Sequence, residues 1–289
     1  MFKKPILTAV ILLALTTLAC AGNFEFPVTE IETGPTQTTD ISVPLLDDPE
    51  TIAEITLAFG AGNLNIAPGA EEALITGVAT YNVADFAPVV TTDENAIRLE
   101  QGNLTVNGIP NFESNLENEW DLQLGSTPIN LTINAGAYVG DYELGGLALN
   151  KLTISDGAAD IKVNFSEPNL TEMESLNYNT GASNVTMTGI ANANTPELIF
   201  RCGAGSYTLD FSGELQQDMQ VSIESGISSI AVIVPEGVSA EVTYEGGMSN
   251  VSLDGSWEKS GSTYTHAGEG YTITITIKMG AGNLELRDK

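Results

Sequence analysis

Side chains suited to acid–base or nucleophilic chemistry are scarce in this sequence. It has one histidine, His266, inside the polar stretch Tyr264-Thr-His266-Ala-Gly. A Ser-His-Asp triad needs a positioned histidine base, and this setting predicts a solvated loop position instead. The two cysteines, Cys20 and Cys202, are far apart, and zinc sites need clustered Cys and His. The sequence therefore predicts no catalytic residue, no metal site and no cofactor.

Carboxylates are abundant, and a pair of carboxylates is the usual machinery for glycoside hydrolysis. The densest acidic clusters are Asp47-Asp48, Glu117-Asn-Glu119-Trp-Asp121 and Asp141-Tyr-Glu143. Neither the calcium-binding nonapeptide of β-rolls nor an EF-hand loop occurs, so solvated charge is the simpler interpretation. A carbohydrate-active enzyme using paired acids remains the alternative to a non-catalytic role.

Two tryptophans are the candidate ligand-binding residues. Trp120 and Trp257 lie in segments rich in acidic residues, outside the regular pattern described below. Aromatic rings at exposed positions stack against sugars, whereas a tryptophan at the edge of a core only packs. We therefore name both as ligand-binding candidates that require exposure.

The charge balance excludes whole classes of partner. Lys and Arg number 10 against 38 Asp and Glu, which gives a net charge of −28. Nucleic acids and anionic lipid surfaces are bound through basic patches, so neither is an expected partner.

The first twenty residues predict export and a lipid anchor. Lys3 and Lys4 precede an apolar run from Ile6 to Leu18, as in a secretory signal peptide. The ending Leu15-Thr-Thr-Leu-Ala-Cys20 resembles a bacterial lipobox, which implies cleavage after residue 19 and acylation of Cys20. Acyl chains would hold the protein to the outer face of a membrane. The stretch 20–39, rich in Thr, Pro and Gly, predicts a flexible tether.

The strongest feature of the remaining chain is an internal repeat. One copy is Leu152-Thr-Ile154-Ser-Asp-Gly157-Ala158, followed by Ile161 and Val163. Apolar residues stand five and three places before the glycine in every copy, and four and six places after it in all but one. This period-two alternation predicts two half-buried strands joined at a glycine corner. The corner glycines are Gly60, Gly136, Gly157, Gly181, Gly203, Gly226, Gly247 and Gly280.

The spacing of these glycines predicts the architecture. From Gly136 to Gly247 they are 21 to 24 residues apart, and Gly280 follows after 33. Such a period suits an all-β solenoid with one coil per repeat, although an antiparallel β-sandwich is an alternative. The longer step contains 257–264, which predicts a protruding hairpin. We predict an N-terminal β region at 40–130, because the Gly60 copy stands apart, and a solenoid at 131–289.

Some of these residues also suggest a family. The segments Leu57-Ala-Phe-Gly-Ala-Gly-Asn-Leu-Asn-Ile66 and Gly77-Val-Ala-Thr-Tyr-Asn82 resemble the opening of bacterial toast-rack envelope proteins. The later repeats resemble an adhesin-type β-repeat domain. The resemblance implies a β-helical module exposed at the cell envelope, with no catalytic residues to carry over.

Together these observations predict a lipid-anchored protein of the cell envelope that works by binding. Adhesion or envelope interaction, including stress sensing, is the expected role, with an envelope glycan or protein as partner. The alternatives are the carbohydrate-active enzyme and a passive structural spacer.

Overall fold

The computed structural model describes residues 28–102, 109–112 and 116–289, and nearly all regular structure in them is β-strand. Two short 3-10 helices, Ala84–Phe86 and Ile190–Ala193, interrupt the strands. In chain order the strands are β1 (Val28–Ile31), β2 (Gln37–Pro44), β3 (Ala53–Pro68), β4 (Ala73–Tyr81), β5 (Pro88–Asp93), β6 (Ala96–Gln101), β7 (Ile109–Phe112), β8 (Asn118–Leu124), β9 (Ile129–Glu143), β10 (Leu149–Asn164), β11 (Ser175–Thr188), β12 (Glu197–Asp210), β13 (Met219–Val234), β14 (Gly237–Asp254), β15 (Trp257–Ser260), β16 (Thr263–His266) and β17 (Gly268–Asp288).

Eight long strands, one for each copy of the repeat, stack in parallel. The order is β3, β9, β10, β11, β12, β13, β17 and β14, and equivalent repeat positions pair, as Ile154 does with Ile133 and Tyr178. The solenoid-like parallel stack predicted from the repeat is therefore confirmed, and the antiparallel sandwich is excluded. Because β3 pairs with β9 from Ala53 to Ile66, the Gly60 copy belongs to the stack, and the sheet has no break at residue 130.

The stack departs from chain order at one place. The last repeat, β17, lies between β13 and β14, so the chain leaves a gap after β13 and fills it on return. This order also separates two acidic residues. This order puts Lys278 beside Glu224 on one side and Glu245 on the other, whereas chain order would put the two carboxylates on adjacent strands.

The glycine corners are required by close approach of neighbouring backbones. A Cβ on Gly136 would lie 2.3 Å from the carbonyl oxygen of Gly60, and one on Gly203 would lie 2.4 Å from that of Gly181. Real Cβ atoms do not approach an oxygen so closely. The corner glycines therefore form a continuous column, in which most strands leave room only for hydrogen on the next.

The core lies inside the coil and follows the alternation of each strand. The positions three and five residues before the glycine and four and six after it point inward, and most are fully buried. Return loops close the coil, with buried Leu144, Phe165 and Phe211 among their side chains. Buried asparagines satisfy the backbone of these loops: Asn169 bonds both the N–H and the C=O of Leu149, each at 2.8 Å.

The two ends of the stack are covered differently. At the N-terminal end, β6 and β8 each pair in parallel with one half of β3, and β5, β4 and β2 add antiparallel strands. At the C-terminal end, β16 pairs antiparallel with residues Ala240–Thr243 of β14, and β15 pairs with β16. The predicted hairpin at 257–264 thus exists, but it extends the sheet, and its residues Trp257 and Tyr264 are buried.

Strands β1 and β7 form a separate two-stranded unit, paired in parallel from Val28 and Ile109 to Ile31 and Phe112. Residues 28–31 and 37–39 were predicted to belong to a flexible tether but are strands, and β2 begins three residues before the expected start of folded structure at Asp40. Within the described ranges, no helix is long and apolar enough to span a bilayer.

Candidate binding groove along the glycine corner

A shallow groove of about 690 Å³ runs across the rungs beside the glycine column. Its lining comes from two equivalent positions in successive rungs, namely the two residues that precede each corner glycine. We call it the corner groove. Its outer row is Ser155, Asn179, Arg201, Glu224, Lys278 and Glu245, and its inner row includes Asp156, Thr180, Cys202, Ser225 and Met279.

The outer row carries alternating charge. Across four adjacent strands the residues in register are Arg201, Glu224, Lys278 and Glu245. Arg201 Nε lies 3.4 Å from a carboxylate oxygen of Glu224, and both side chains are about half exposed at 52% and 48%. Exposed pairs of this kind contribute about 0–1 kcal/mol to stability, so these charges remain available to a ligand.

The inner row holds a carboxylate that is fully engaged within the protein. Asp156 accepts hydrogen bonds from the hydroxyls of Tyr178 at 2.7 Å, Ser183 at 3.2 Å and Thr180. Because these donors occupy its oxygens, Asp156 is a structural acid that fixes the floor of the groove.

Buried tyrosines lie behind this floor. Burial, reinforced by the neighbouring Tyr138 and Asp156, holds the pKa of Tyr178 far above its usual range. Burial also raises the pKa of Tyr207 to about 12, with Cys202 adding to the effect. These phenols stay protonated at any physiological pH, so none of them acts as a base.

Cys202, in the inner row, is a buried thiol. It is 8% exposed and unpaired, and burial raises its pKa, opposed by hydrogen bonds with Ser225 and Tyr207. Since the thiolate is the reactive form, a raised pKa makes this cysteine a poor nucleophile. The corner groove thus offers charges, hydroxyls and amides that suit hydrogen bonding to an extended polar ligand.

The exposed stacking faces expected at Trp120 and Trp257 are absent, which corrects the prediction. Trp120 is 0% exposed because β8 pairs with β3 and directs the indole into the core, edge-on to Phe59 at a centroid distance of 5.2 Å. Trp257 is 8% exposed and packs against the imidazole of His266. Both residues pack at the ends of the stack, and neither lines the corner groove.

His266 was predicted to be a solvated loop residue, and this prediction is wrong. His266 is 3% exposed because β16 pairs with β14. Nδ1 lies 2.7 Å from the carbonyl oxygen of Val238 and so carries a proton, and Nε2 lies 3.6 Å from a carboxylate oxygen of Asp288. These contacts tie the hairpin to β14 and β17.

The lipidation candidate and the acidic clusters are the remaining residues that the sequence singled out. Cys20 lies outside the described residues. Glu119 and Asp121 flank Asn65, whose amide donates to Asp121 at 2.7 Å and to Glu119 at 3.4 Å. In the ranges that the structure describes, no group of three or more His, Cys, Asp and Glu residues is arranged to hold a metal ion.

Glu143, from another of these acidic clusters, is held by its own loop. Burial acts to raise its pKa, but the backbone N–H groups of Gly145 at 2.8 Å and Ser166 at 3.2 Å, with the amide of Asn164, bring it below the usual range. This carboxylate therefore stays ionised and structural.

Sequence reasoning did not identify the corner groove. The signal was present in the aligned repeats, where the second residue before the glycine is charged in Arg201, Glu224, Glu245 and Lys278. The alternation of charge becomes clear only when β17 is placed between β13 and β14.

The fold and groove define a repeat protein whose parallel rungs present one continuous surface. Residues 32–188, more than half of the chain, match the family described as the N-terminal domain of toast_rack, DUF2154. The chain belongs to this toast-rack family, which confirms the resemblance seen in its sequence. No curated protein matches the sequence.

Solved structures to which the chain is similar include a "putative cell adhesion protein" from Clostridium sporogenes, 18% identical with a TM-score of 0.44, where the match covers 88% of this chain and 100% of that one. A "putative adhesin" from Bacteroides fragilis is 10% identical with a TM-score of 0.42, covering 89% and 99% of the two chains. These values are too low to add to a functional argument.

Proposed function

We propose that this protein is a non-catalytic binding module of the cell envelope, anchored by lipid at Cys20, that holds an extended polar partner along the corner groove. The partner is an envelope glycan or protein, and the role is adhesion or envelope interaction, with stress sensing as one form of it. The observation that carries the proposal is the corner groove itself, whose polar and charged side chains repeat from rung to rung.

The geometry favours a long ligand over a small one. Successive rungs of a sheet are about 4.8 Å apart, so the outer row presents a new side chain at that interval along the stack. Solenoid surfaces commonly bind extended partners in this way. The groove is shallow, and its two rows contain both signs of charge. Its outer row adds the hydroxyl of Ser155 and the amide of Asn179, which are groups that hydrogen-bond to glycans and to peptide backbones.

The functional test uses the full-length protein against a panel of neutral, acidic and zwitterionic envelope glycans and extended peptides at physiological salt. Arg201→Glu is the test variant and Arg98→Glu the matched control, because each arginine pairs with one glutamate and the two are 52% and 50% exposed. We expect saturable binding that Arg201→Glu weakens at least ~10-fold, about 1.4 kcal/mol, and Arg98→Glu leaves unchanged.

Three other results would each redirect the proposal. Binding that both variants retain would place the ligand elsewhere. No binding to any member of the panel would favour the passive spacer, and release of reducing ends from a glycan would establish the enzyme. Cys20→Ser tests the anchor separately: the variant should lose labelling by a fatty-acid analogue and leave the membrane fraction.

A further inference from the structure

The C-terminal end of the stack presents a β-strand edge that nothing described in the structure covers. Residues Met248–Asp254, the second half of β14, pair with β17 on one side. On the other side, β16 reaches only Ala240–Thr243, and no strand of the described ranges pairs with Met248–Asp254. We call this segment the open edge.

The open edge exposes positions that are core everywhere else in the stack. Leu253, six places after its glycine, is 40% exposed and Val251 is half-buried. The other members of these two columns are buried, as Leu284 and Leu286 are on the adjacent β17. A further rung would cover Val251 and Leu253, and no strand in the described ranges lies there.

The opposite end of the same stack shows what such a covering strand looks like. There β8 lies on the second half of β3, with Trp120 opposite Leu64 and Leu122 opposite Ile66. The covering strand places large apolar residues at alternate positions, over the same two columns that the open edge leaves exposed.

The open edge also lacks the residues that protect the other outer strands. Natural sheets block free edges with proline or lysine. Strand β2 ends in Pro44, β5 begins with Pro88 and β15 contains Lys259. Between Met248 and Asp254 there is neither proline nor lysine, so this edge is left able to pair.

Charge indicates which strand would pair there. The open edge carries Asp254 and no basic residue, Glu245 precedes it on the same strand, and the chain has a net charge of −28. A second copy would bring the same acidic surface, which opposes self-association. A strand with basic residues on its outward face is complementary.

We propose that the open edge binds an extended strand of a partner protein, with large apolar residues at alternate positions and basic residues between them. The partner adds a strand to the sheet, as in β-augmentation, so that backbone hydrogen bonds supply affinity. Its apolar side chains cover Val251 and Leu253 as Trp120 and Leu122 cover Leu64 and Ile66. This surface is separate from the corner groove and does not depend on its function.

The test uses two synthetic peptides of identical composition and the full-length protein. The patterned peptide is Lys-Trp-Lys-Leu-Lys-Leu-Lys, and the control is Lys-Lys-Trp-Leu-Leu-Lys-Lys, which has the same charge without the alternation. We expect the patterned peptide to bind at least ~10-fold more tightly by calorimetry. Hydrogen exchange should show new protection confined to amides of Met248–Asp254.

Matched variants separate the edge from general acidity. Leu253→Lys should weaken the patterned peptide at least ~10-fold, whereas Val90→Lys, on the outer strand β5 and 43% exposed against 40% for Leu253, should change it less than ~2-fold. Both replace an exposed side chain, so both should fold with a wild-type circular dichroism spectrum, and the peptide experiment on the wild-type protein stands without them.

Each other outcome overturns the proposal. Equal affinity for the two peptides, protection outside Met248–Asp254, or no binding at ~1 mM peptide would each exclude a patterned strand at this edge. Dimerisation of the wild-type protein that Leu253→Lys abolishes would show that the occupant is a second copy.

Discussion

The two ends of the stack differ in how much of the terminal strand is covered by other strands. At the N-terminal end, both halves of β3 are covered, by Ile97 and Leu99 of β6 and by Trp120 and Leu122 of β8. At the C-terminal end, the hairpin of β15 and β16 covers the first half of β14 and leaves the second half open. Three of the four half-rungs at the ends are therefore covered within the described structure, and the open edge is the exception.

Because of this difference, we expect the N-terminal end to stabilise the fold and the C-terminal end to bind a partner. A repeat stack must cover its terminal rungs to bury its core, and the N-terminal end does so with strands outside the repeat. An end that leaves core positions exposed is locally less stable, but its free strand edge can pair with another strand. The comparison makes predictions that differ between the two ends.

The largest effect is expected at the covered end. Trp120→Ala should lower the free energy of unfolding by about 3–5 kcal/mol, because it empties a fully buried indole site over Leu64. Leu253→Ala, the comparable change at the open edge, should cost below about 1 kcal/mol. Chemical denaturation measures both, and similar losses at the two positions would mean that the ends are equally packed.

Alanine substitution of a corner glycine should cost more stability in an interior rung than in a terminal one. Gly136→Ala should cost about 2 kcal/mol, since its Cβ would meet the carbonyl oxygen of Gly60 at 2.3 Å. Gly60→Ala should cost less, because its Cβ meets the side chain of Gln101 at 3.1 Å and not a backbone atom. Its cost comes from disturbing the hydrogen bonds that Gln101 Oε1 accepts from the N–H of Gly60 and from the amide of Asn118, each at 2.9 Å. Thermal unfolding of the two variants checks this order, and a larger loss for Gly60→Ala would contradict the stack.

A charge reversal tests the unusual strand order beside the open edge. Lys278→Glu would place three carboxylates in a row with Glu224 and Glu245 and should cost about 0.5–1 kcal/mol at low salt, with recovery at high salt. Lys151→Glu is the control, because its neighbours in register are Asn130 and Ser175. If the two reversals were equivalent, Lys278 would not lie between the two acids.

The smallest effect concerns acid stability at the C-terminal end. The backbone N–H of Ser256 lowers the pKa of Asp288, with His266 contributing. A carboxylate with a lowered folded pKa stabilises the protein above its unfolded pKa of about 3.9, and this contribution is lost as the pH falls through the folded value. The melting temperature of Asp288→Asn should therefore fall less than that of the wild type between about pH 5 and pH 2. If the melting temperatures of both proteins fell equally, Asp288 would not contribute to acid stability.

Local pattern and distant pairing explain which features the sequence predicted. The alternation around each glycine predicted the long strands and their corners, because those features depend on residues within one repeat. The regular spacing of the glycines predicted the stacking of one repeat on the next. The burial of Trp120 depends on β8 pairing with β3, more than fifty residues away, and no repeat marks that pairing.

The corner groove also depends on pairing between distant residues. Lys278 meets Glu224 and Glu245 only because β17 lies between β13 and β14, so neither the corner groove nor its alternating charge followed from chain order. The aromatic candidates failed because segments outside the repeat were assumed to be exposed, whereas they cover the terminal rungs.

The most direct test of this account is native-state hydrogen exchange of the full-length protein, comparing Asn118–Leu124 with Met248–Asp254. Strand β8 pairs on both sides, with β3 and β4, so its amides should be strongly protected. The outward amides of the open edge should exchange orders of magnitude faster, and become protected when the patterned peptide is added. Equal protection of the two segments without peptide would show that the C-terminal end is already covered, and would contradict the central claim.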